Sequence, residues 1–166
     1  ISVYPLDFSE FLKFKGVSLK EEHFYSRERF LMLRYFDEYL HFGGFPEVAL
    51  LSSPEAKKKV LETYFNLVFY RDLVSRKKLE NQDALRFMIR KLREVIGASI
   101  TPRSLHSALI AAGINASPNT AEKYVDCLEE AFLSIPCRPF AKSALKQERK
   151  KRYFVDNGYL KFFEMK

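Results

Sequence analysis

Hydrophobic spacing along the chain predicts a mainly α-helical protein: a helical bundle, then a winged helix-turn-helix carrying a small β-hairpin. The opening stretch, Ile1–Phe14, starts as a short strand-like run and turns at Pro5, with Ser9 as a candidate cap for a brief helix. Residues 16–29 are charged and read as loop or insert. Phe30–Phe42 has helical spacing and is stopped at Gly43-Gly44, where Gly-Gly-Phe-Pro-Glu makes a tight corner. Ser53 and Pro54 then open the strongest helix. Its apolar positions, from Val60 through Leu67 to Val74, form a face wide enough to pack on more than one side. Asn81–Ile96 follows as a helix with Leu85, Met88, Ile89, Leu92, Val95 and Ile96 on one face, and Arg86, Arg90, Lys91 and Arg93 mostly on the other.

The clearest architectural signal comes next. After a short extended piece at Ser99-Ile100, Thr101 caps and Pro102 begins a helix ended by Gly113. Ser117 caps and Pro118 begins a second helix, reaching about Phe132. Phe132–Pro139 reads as a strand, made edge-like by Pro136, and Lys151–Val155 as its partner. Helix, helix, turn, helix and hairpin is the winged helix-turn-helix order. Asp156-Asn157-Gly158 closes the second strand and starts a helix that runs into the last residue, Lys166. A strand at one end and an incomplete helix at the other lead to the expectation that this is a piece of a longer polypeptide.

Charge sharpens the picture of the helix-turn-helix. The chain is formally +7, which suits a polyanionic partner without choosing among DNA, RNA and an acidic protein. The helix after Ser117 is a candidate groove helix, with Asn119, Thr120 and Lys123 at its start. It also carries Glu122, Asp126, Glu129 and Glu130, which phosphates would repel. The wing is basic: Lys142, Lys146, Arg149, Lys150, Lys151 and Arg152 surround one acid, Glu148. Three readings of the wing stay open: a solvated loop, contact with a phosphate backbone, or docking on an acidic partner.

Candidate chemistry is sparse. Two cysteines, Cys127 and Cys137, are read as free thiols in a cytoplasmic protein, and three scattered histidines lack metal spacing. There is no run of about 18 apolar residues to cross a membrane. No G-x-x-x-x-G-K-[ST], H-E-x-x-H, G-x-S-x-G or C-x-x-C pattern occurs. No catalytic residue or metal site is assigned, and an isolated nuclease is set aside because no carboxylate–carboxylate–lysine cluster is visible. Arg71-Asp72 lies inside the long helix; as neighbours in sequence the two do not share a helical face. They are read either as separate surface contacts or, for Arg71, as an arginine aimed at a neighbouring domain's phosphate. Asp156 reads as a turn cap in preference to a metal carboxylate.

Four stretches together carry a resemblance. Tyr4-Pro5-Leu6-Asp7-Phe8-Ser9-Glu10-Phe11-Leu12, Tyr39-Leu40 with Gly43–Val48, Tyr70-Arg71-Asp72-Leu73, and Tyr153–Gly158 resemble, in order, motifs of a group of prokaryotic AAA-superclass P-loop ATPases. Asp7 stands where that group often has serine, and the charged insert before Arg29 is a departure. The resemblance implies an upstream ATPase module holding ATP and Mg, and a downstream restriction-endonuclease-like region. Neither module's active residues have a match here.

The resulting expectation is an accessory region that is not itself an enzyme. It would couple ATP binding or hydrolysis in the missing upstream module to a partner or nucleic acid. Arg71, Asp72, Gly43, Gly44 and Pro46 are the candidates for the side facing the ATPase module. The expected layout is the tail of a preceding domain and connector (1–33), a helical linker (34–80), the winged helix-turn-helix (81–158) and the start of a following domain (159–166). The protein's own ATPase module is the expected partner, with nucleic acid a further candidate through the wing. No membrane is expected, and an oligomer stays open. The alternative is a stand-alone winged-helix DNA-binding regulator.

Overall fold

A computed structural model describes residues 3–17, 28–140 and 150–162. The described residues are mainly helical, with one two-stranded antiparallel sheet. In chain order the elements are α1 (Phe8–Phe14), α2 (Glu28–Phe42), α3 (Pro46–Leu50) and α4 (Pro54–Asn66). The last runs on as a π-helical segment, Leu67–Arg76. Then come α5 (Gln82–Glu94), α6 (Pro102–Ala111), α7 (Pro118–Glu130), β1 (Ser134–Cys137), β2 (Lys151–Phe154) and α8 (Gly158–Phe162). Contacts divide the chain into two compact units, 1–65 with 156–166, and 66–155.

In the first unit, α1 starts at Asp7, whose carboxylate accepts from the Glu10 N–H at 2.8 Å while Glu10 accepts from the Asp7 N–H at 3.0 Å. This reciprocal box displaces Ser9, which sits inside the helix, as the cap. Residues 3–7 form no strand; the Leu6 N–H is satisfied by the Gly44 carbonyl at 2.8 Å. Phe11, Leu12, Met32, Val48, Ala49, Leu61, Phe65 and Tyr159 are buried here. A ring cluster of Phe8, Phe11, Phe36 and Tyr39 joins α1 to α2, with centroids 5.1–6.3 Å apart, the edge-on and offset geometry aromatic quadrupoles favour. Lys57 is buried against the Glu38 carboxylate and over the Phe42 ring. Glu38 also pairs with Lys15 at 2.7 Å. Burial alone would raise the Glu38 carboxyl, but the two lysines outweigh it and hold it below its ordinary value.

The second unit is organised by capped helices. Asn81 caps α5 through the Ala84 N–H, Thr101 and Ser104 form a reciprocal box on α6, and Ser117 accepts the Thr120 N–H at the start of α7. Each cap satisfies backbone donors that a helix start leaves unpaired. Leu85, Met88, Ile89 and Leu92 of α5 are buried, as are Leu105 and Leu109 of α6 and Val125 and Leu128 of α7. Val95 and Ile96 fall beyond the last turn of α5, and Ile96 is exposed. β1 pairs with β2 antiparallel, Ser134 opposite Phe154 and Cys137 opposite Lys151, and Ser99 adds a single bridge to Lys151. Among the described residues no helix is long and apolar enough to cross a membrane.

Candidate functional site

Two places bring motif residues together. The first lies in the unit formed by residues 1–65 and 156–166. Asp156 is buried, and its two carboxylate oxygens are divided between two backbone donors: the Gly44 N–H at 2.7 Å and the Gly158 N–H at 2.7 Å. The Gly44 carbonyl accepts from the Leu6 N–H at 2.8 Å, and the Tyr39 hydroxyl donates to the Leu6 carbonyl at 2.9 Å. One node therefore ties together three segments far apart in sequence. They are the stretch before α1, the Gly43–Val48 corner and the Asp156–Gly158 turn.

The glycines leave no room for side chains. A Cβ at Gly43, where φ is +77°, would lie 1.6 Å from Asp156 Oδ1; at Gly44 it would lie 2.2 Å from the Leu6 carbonyl oxygen; at Gly158, 2.6 Å from the Phe42 carbonyl oxygen. Burial pushes the Asp156 carboxyl up to about 6, against the pull of the two backbone N–H groups. Tyr159, buried beside it, has its phenol raised by burial and by the neighbouring carboxylate. As a turn cap Asp156 behaves as its sequence context suggests, holding the Gly158 N–H. Its bond to Gly44, 112 residues away, has no local signature. With both oxygens occupied by backbone donors, this carboxylate is a structural tie. Gly43 and Gly44 are buried within the node, whereas Pro46 is exposed at the start of α3.

The second place is the π-helical segment. Arg71 donates to Asp72 twice, from Nε at 3.1 Å and from its terminal nitrogen at 3.0 Å, while Arg76 approaches the same carboxylate at 3.6 Å. This corrects the expectation that adjacent residues would make separate contacts. The i to i+5 turn, seen in Lys77 N–H to the Asp72 carbonyl at 3.2 Å, is wider than an α-helical turn and brings neighbours closer in azimuth. The Ser75 hydroxyl caps the Tyr70 carbonyl within it at 2.8 Å. The Asp72 carboxyl is lowered, chiefly by its hydrogen bond to Arg71. Arg71 nevertheless keeps 69% of its side chain exposed. Arg86 of α5 lies with its guanidinium 4.2 Å from the Phe69 ring centroid and donates to the Tyr70 hydroxyl at 2.6 Å. The sequence offered no sign of that pairing, because its partners stand sixteen residues apart on different elements.

The helix-turn-helix candidates are distributed unevenly. Asn119 and Lys123 are exposed on α7, beside Glu122 and Asp126. Thr120 is tied to the Ser117 cap at 2.9 Å. Lys142, Lys146 and Arg149 lie outside the described residues. Lys151 is exposed and Lys150 half-buried. Arg152 points inward: it pairs with Glu129 at 3.0 Å, donates to the Ile100 carbonyl at 2.6 Å, and has 6% of its surface exposed. An arginine held this way fixes β2 against α7 and is withdrawn from any external phosphate. Between the starts of α6 and α7 an open cleft of about 680 Å³ is lined by residues including Arg103, His106 and Glu122. His106 contacts the Ala116 carbonyl there at 3.0 Å. Among the described residues, no group of three or more His, Cys, Asp or Glu side chains is placed to hold a metal ion.

Comparison with known proteins gives relatives rather than a reaction. The chain is 28% identical over 154 residues to "Uncharacterized protein MJ1544" of Methanocaldococcus jannaschii, covering 93% of this chain and 35% of that protein. It is 31% identical over 161 residues to an "Uncharacterized protein" of Haemophilus influenzae, covering 95% of this chain and 38% of that one. It thus spans little more than a third of the length of these relatives. No solved structure matches at a significant level. A family model described as "Domain of unknown function (DUF8612)" matches residues 33–164, most of the chain, and the chain belongs to that family.

Proposed function

We propose that this chain is the accessory region of a P-loop ATPase, in which α6, α7 and the β1–β2 hairpin act as a winged helix and the π-helical segment addresses the ATPase module. ATP and Mg belong to that module; this chain contributes a cation toward it. The observation that carries the reading is Arg71. Its guanidinium is clamped on one edge by Asp72 and stands 69% exposed, on a segment whose Tyr-Arg-Asp-Leu sequence is one of the four motifs that carry the resemblance. A planar fork held in one orientation and left open is suited to receiving phosphate oxygens. The length of the relatives supports the reading, since nearly two thirds of each lies outside the matched segment.

The contribution of such a region is differential binding. It favours one ATPase state over another by contacts made in only one of them. Arg71→Ala in the intact parent protein tests this. An arginine that stabilises transferring phosphate is worth a factor of about 10³ or more in turnover, and a drop of at least tenfold is expected, with thermal stability unchanged. Arg71→Lys, which keeps the charge but not the fork, should recover only part of the loss. Unchanged ATP turnover in Arg71→Ala removes the reading.

A further inference from the structure

We infer that the second unit grips the phosphate backbone of double-stranded nucleic acid through an arginine face formed by the π-helical segment and α5, not through α7. This goes beyond the proposed function: Arg71 is the residue assigned there to the ATPase module, and the ligand class inferred here belongs to Arg76 and the α5 arginines.

Charge distribution is the first argument. Between Arg71 and Glu94, eight basic residues stand against four acids, Asp72, Glu80, Asp83 and Glu94. Along α7, Lys123 stands alone against Glu122, Asp126, Glu129 and Glu130. Two of the α7 acids are paired, Glu129 with Arg152 and Glu130 with Lys77 of the basic stretch. Glu122 and Asp126 still stand exposed beside Lys123, so a polyanion is favoured at the basic stretch over the exposed side of α7. Arg152, the wing residue best placed on β2, is already committed to Glu129 and the Ile100 carbonyl.

Geometry is the second argument. Arg86 and Arg90 are exposed and one α-helical turn apart on the same face of α5. Arg86 packs over Phe69 and Tyr70, each in the π-helical segment, with its guanidinium 4.2 Å and 5.6 Å from their ring centroids. This contact joins the α5 arginines to the segment bearing Arg76, which is 70% exposed. Arginine forks on two packed elements are a pre-ordered set of donors for phosphate oxygens. Of the four acids in the stretch, Asp72 is paired with Arg71 and Arg76, and Glu94 with Lys91 at 2.8 Å, which leaves Glu80, exposed before α5, and Asp83, exposed on α5, as the opposing carboxylates.

The same packing argues for a duplex over a single strand. Single strands are held by stacking bases on open aromatic rings. Here Phe69 is buried, and Tyr70, 47% exposed, already has the Arg86 guanidinium 5.6 Å from its ring centroid, so the face offers several cations but only one partly covered ring for stacking.

The test uses the 166-residue chain and a random-sequence 20-base-pair DNA duplex, with an RNA duplex as a second arm, titrated across salt. The native chain should bind at low salt, with affinity falling linearly on a log–log plot against salt. The double variant Arg76→Glu with Arg90→Glu should lose at least tenfold in affinity and flatten the salt slope by about two, near 0.9 per lost phosphate contact. A charge-matched pair outside these two elements, Lys123→Glu with Lys151→Glu, should stay within twofold. If the first pair fails to fold, Arg76→Gln with Arg90→Gln carries the same comparison. Binding to either duplex supports the inference, since the phosphate chemistry is shared. Equal loss in both pairs, greater loss in the Lys123 and Lys151 pair, equally tight binding of polyglutamate, or no duplex binding by the native chain would overturn it. None of these outcomes bears on ATP turnover in Arg71→Ala, so the two proposals fail separately.

Discussion

At the scale of single residues, Asp156 is buried with both carboxylate oxygens held by backbone donors, and its environment sets a pH dependence of definite sign. Burial lifts its carboxyl to about 6 from 3.8. Between about pH 4 and pH 6 the folded state then holds a proton that the unfolded chain has already released. Its contribution is full below the unfolded pKa and is lost as pH rises through the folded one. At roughly 1.4 kcal/mol per pKa unit, the whole swing is about 3 kcal/mol. Glu38 and Asp72, both lowered, have the opposite sign, so the overall pH profile mixes the two. Asp156→Asn isolates the term. The amide can accept one of the two glycine N–H groups but presents its own NH2 to the other, a pH-independent cost of about 1–3 kcal/mol. Urea unfolding of both proteins should show a destabilisation by Asp156→Asn that is about 2–3 kcal/mol larger at pH 4 than at pH 7. The same difference at both pH values would mean the carboxyl is not perturbed.

At the scale of elements, what could be read from sequence divides by the range of the signal. Thr101-Pro102 and Ser117-Pro118 announce α6 and α7, because a cap and the donor it satisfies lie within four residues; Asn81, read as the first residue of its helix, is instead the cap of α5. Pro46 and Glu47 open a short helix, α3, where the sequence suggested only a corner; five residues carry too few apolar positions to show a period. The π-helical turn was hidden too. Leu61, Phe65, Phe69 and Leu73 are all buried, and their four-residue spacing is compatible with either helix type. Hence the Arg71–Asp72 clamp, which depends on the wider turn, could not be anticipated.

Two of the left-handed glycines that follow helices share a backbone conformation but sit in different surroundings. Gly43 follows α2 at φ +77° against the Asp156 carboxylate; Gly113 follows α6 at φ +74° with nothing within 4 Å of a would-be Cβ. Gly113→Ala should cost only the left-handed strain, about 1 kcal/mol. Gly43→Ala adds a clash that must displace Asp156, and should cost about 3 kcal/mol or more in total. Equal melting temperatures for the two variants would show that the node yields easily.

At the scale of the whole molecule, the chain leaves its first unit after residue 65 and returns to it at Asp156. A unit closed by its return segment depends on that segment for stability, whereas the ninety residues from 66 to 155 are continuous and contain their own core, caps and hairpin. What returns is small but central. Asp156 satisfies the Gly44 N–H, and Tyr159 is buried against Phe45 and Phe65 at centroid separations of 5.5 and 6.1 Å. Removing the return should therefore act unevenly. A chain ending at Val155 leaves the Gly44 donor without its acceptor and opens the space of a tyrosine ring, each a loss of about 1–3 kcal/mol or more. Those losses are a large fraction of the stability of so small a unit. Hydrogen exchange on the truncated chain should show α1, α2 and α3 losing protection while the amides of α5, α6 and α7 exchange at their native rates. Retained protection in α1–α3 would show that the aromatic cluster of Phe8, Phe11 and Tyr39 suffices without the node. Uniform loss would show that the two units unfold as one, and that the motifs meeting at Asp156 govern the stability of the arginine face as well as their own.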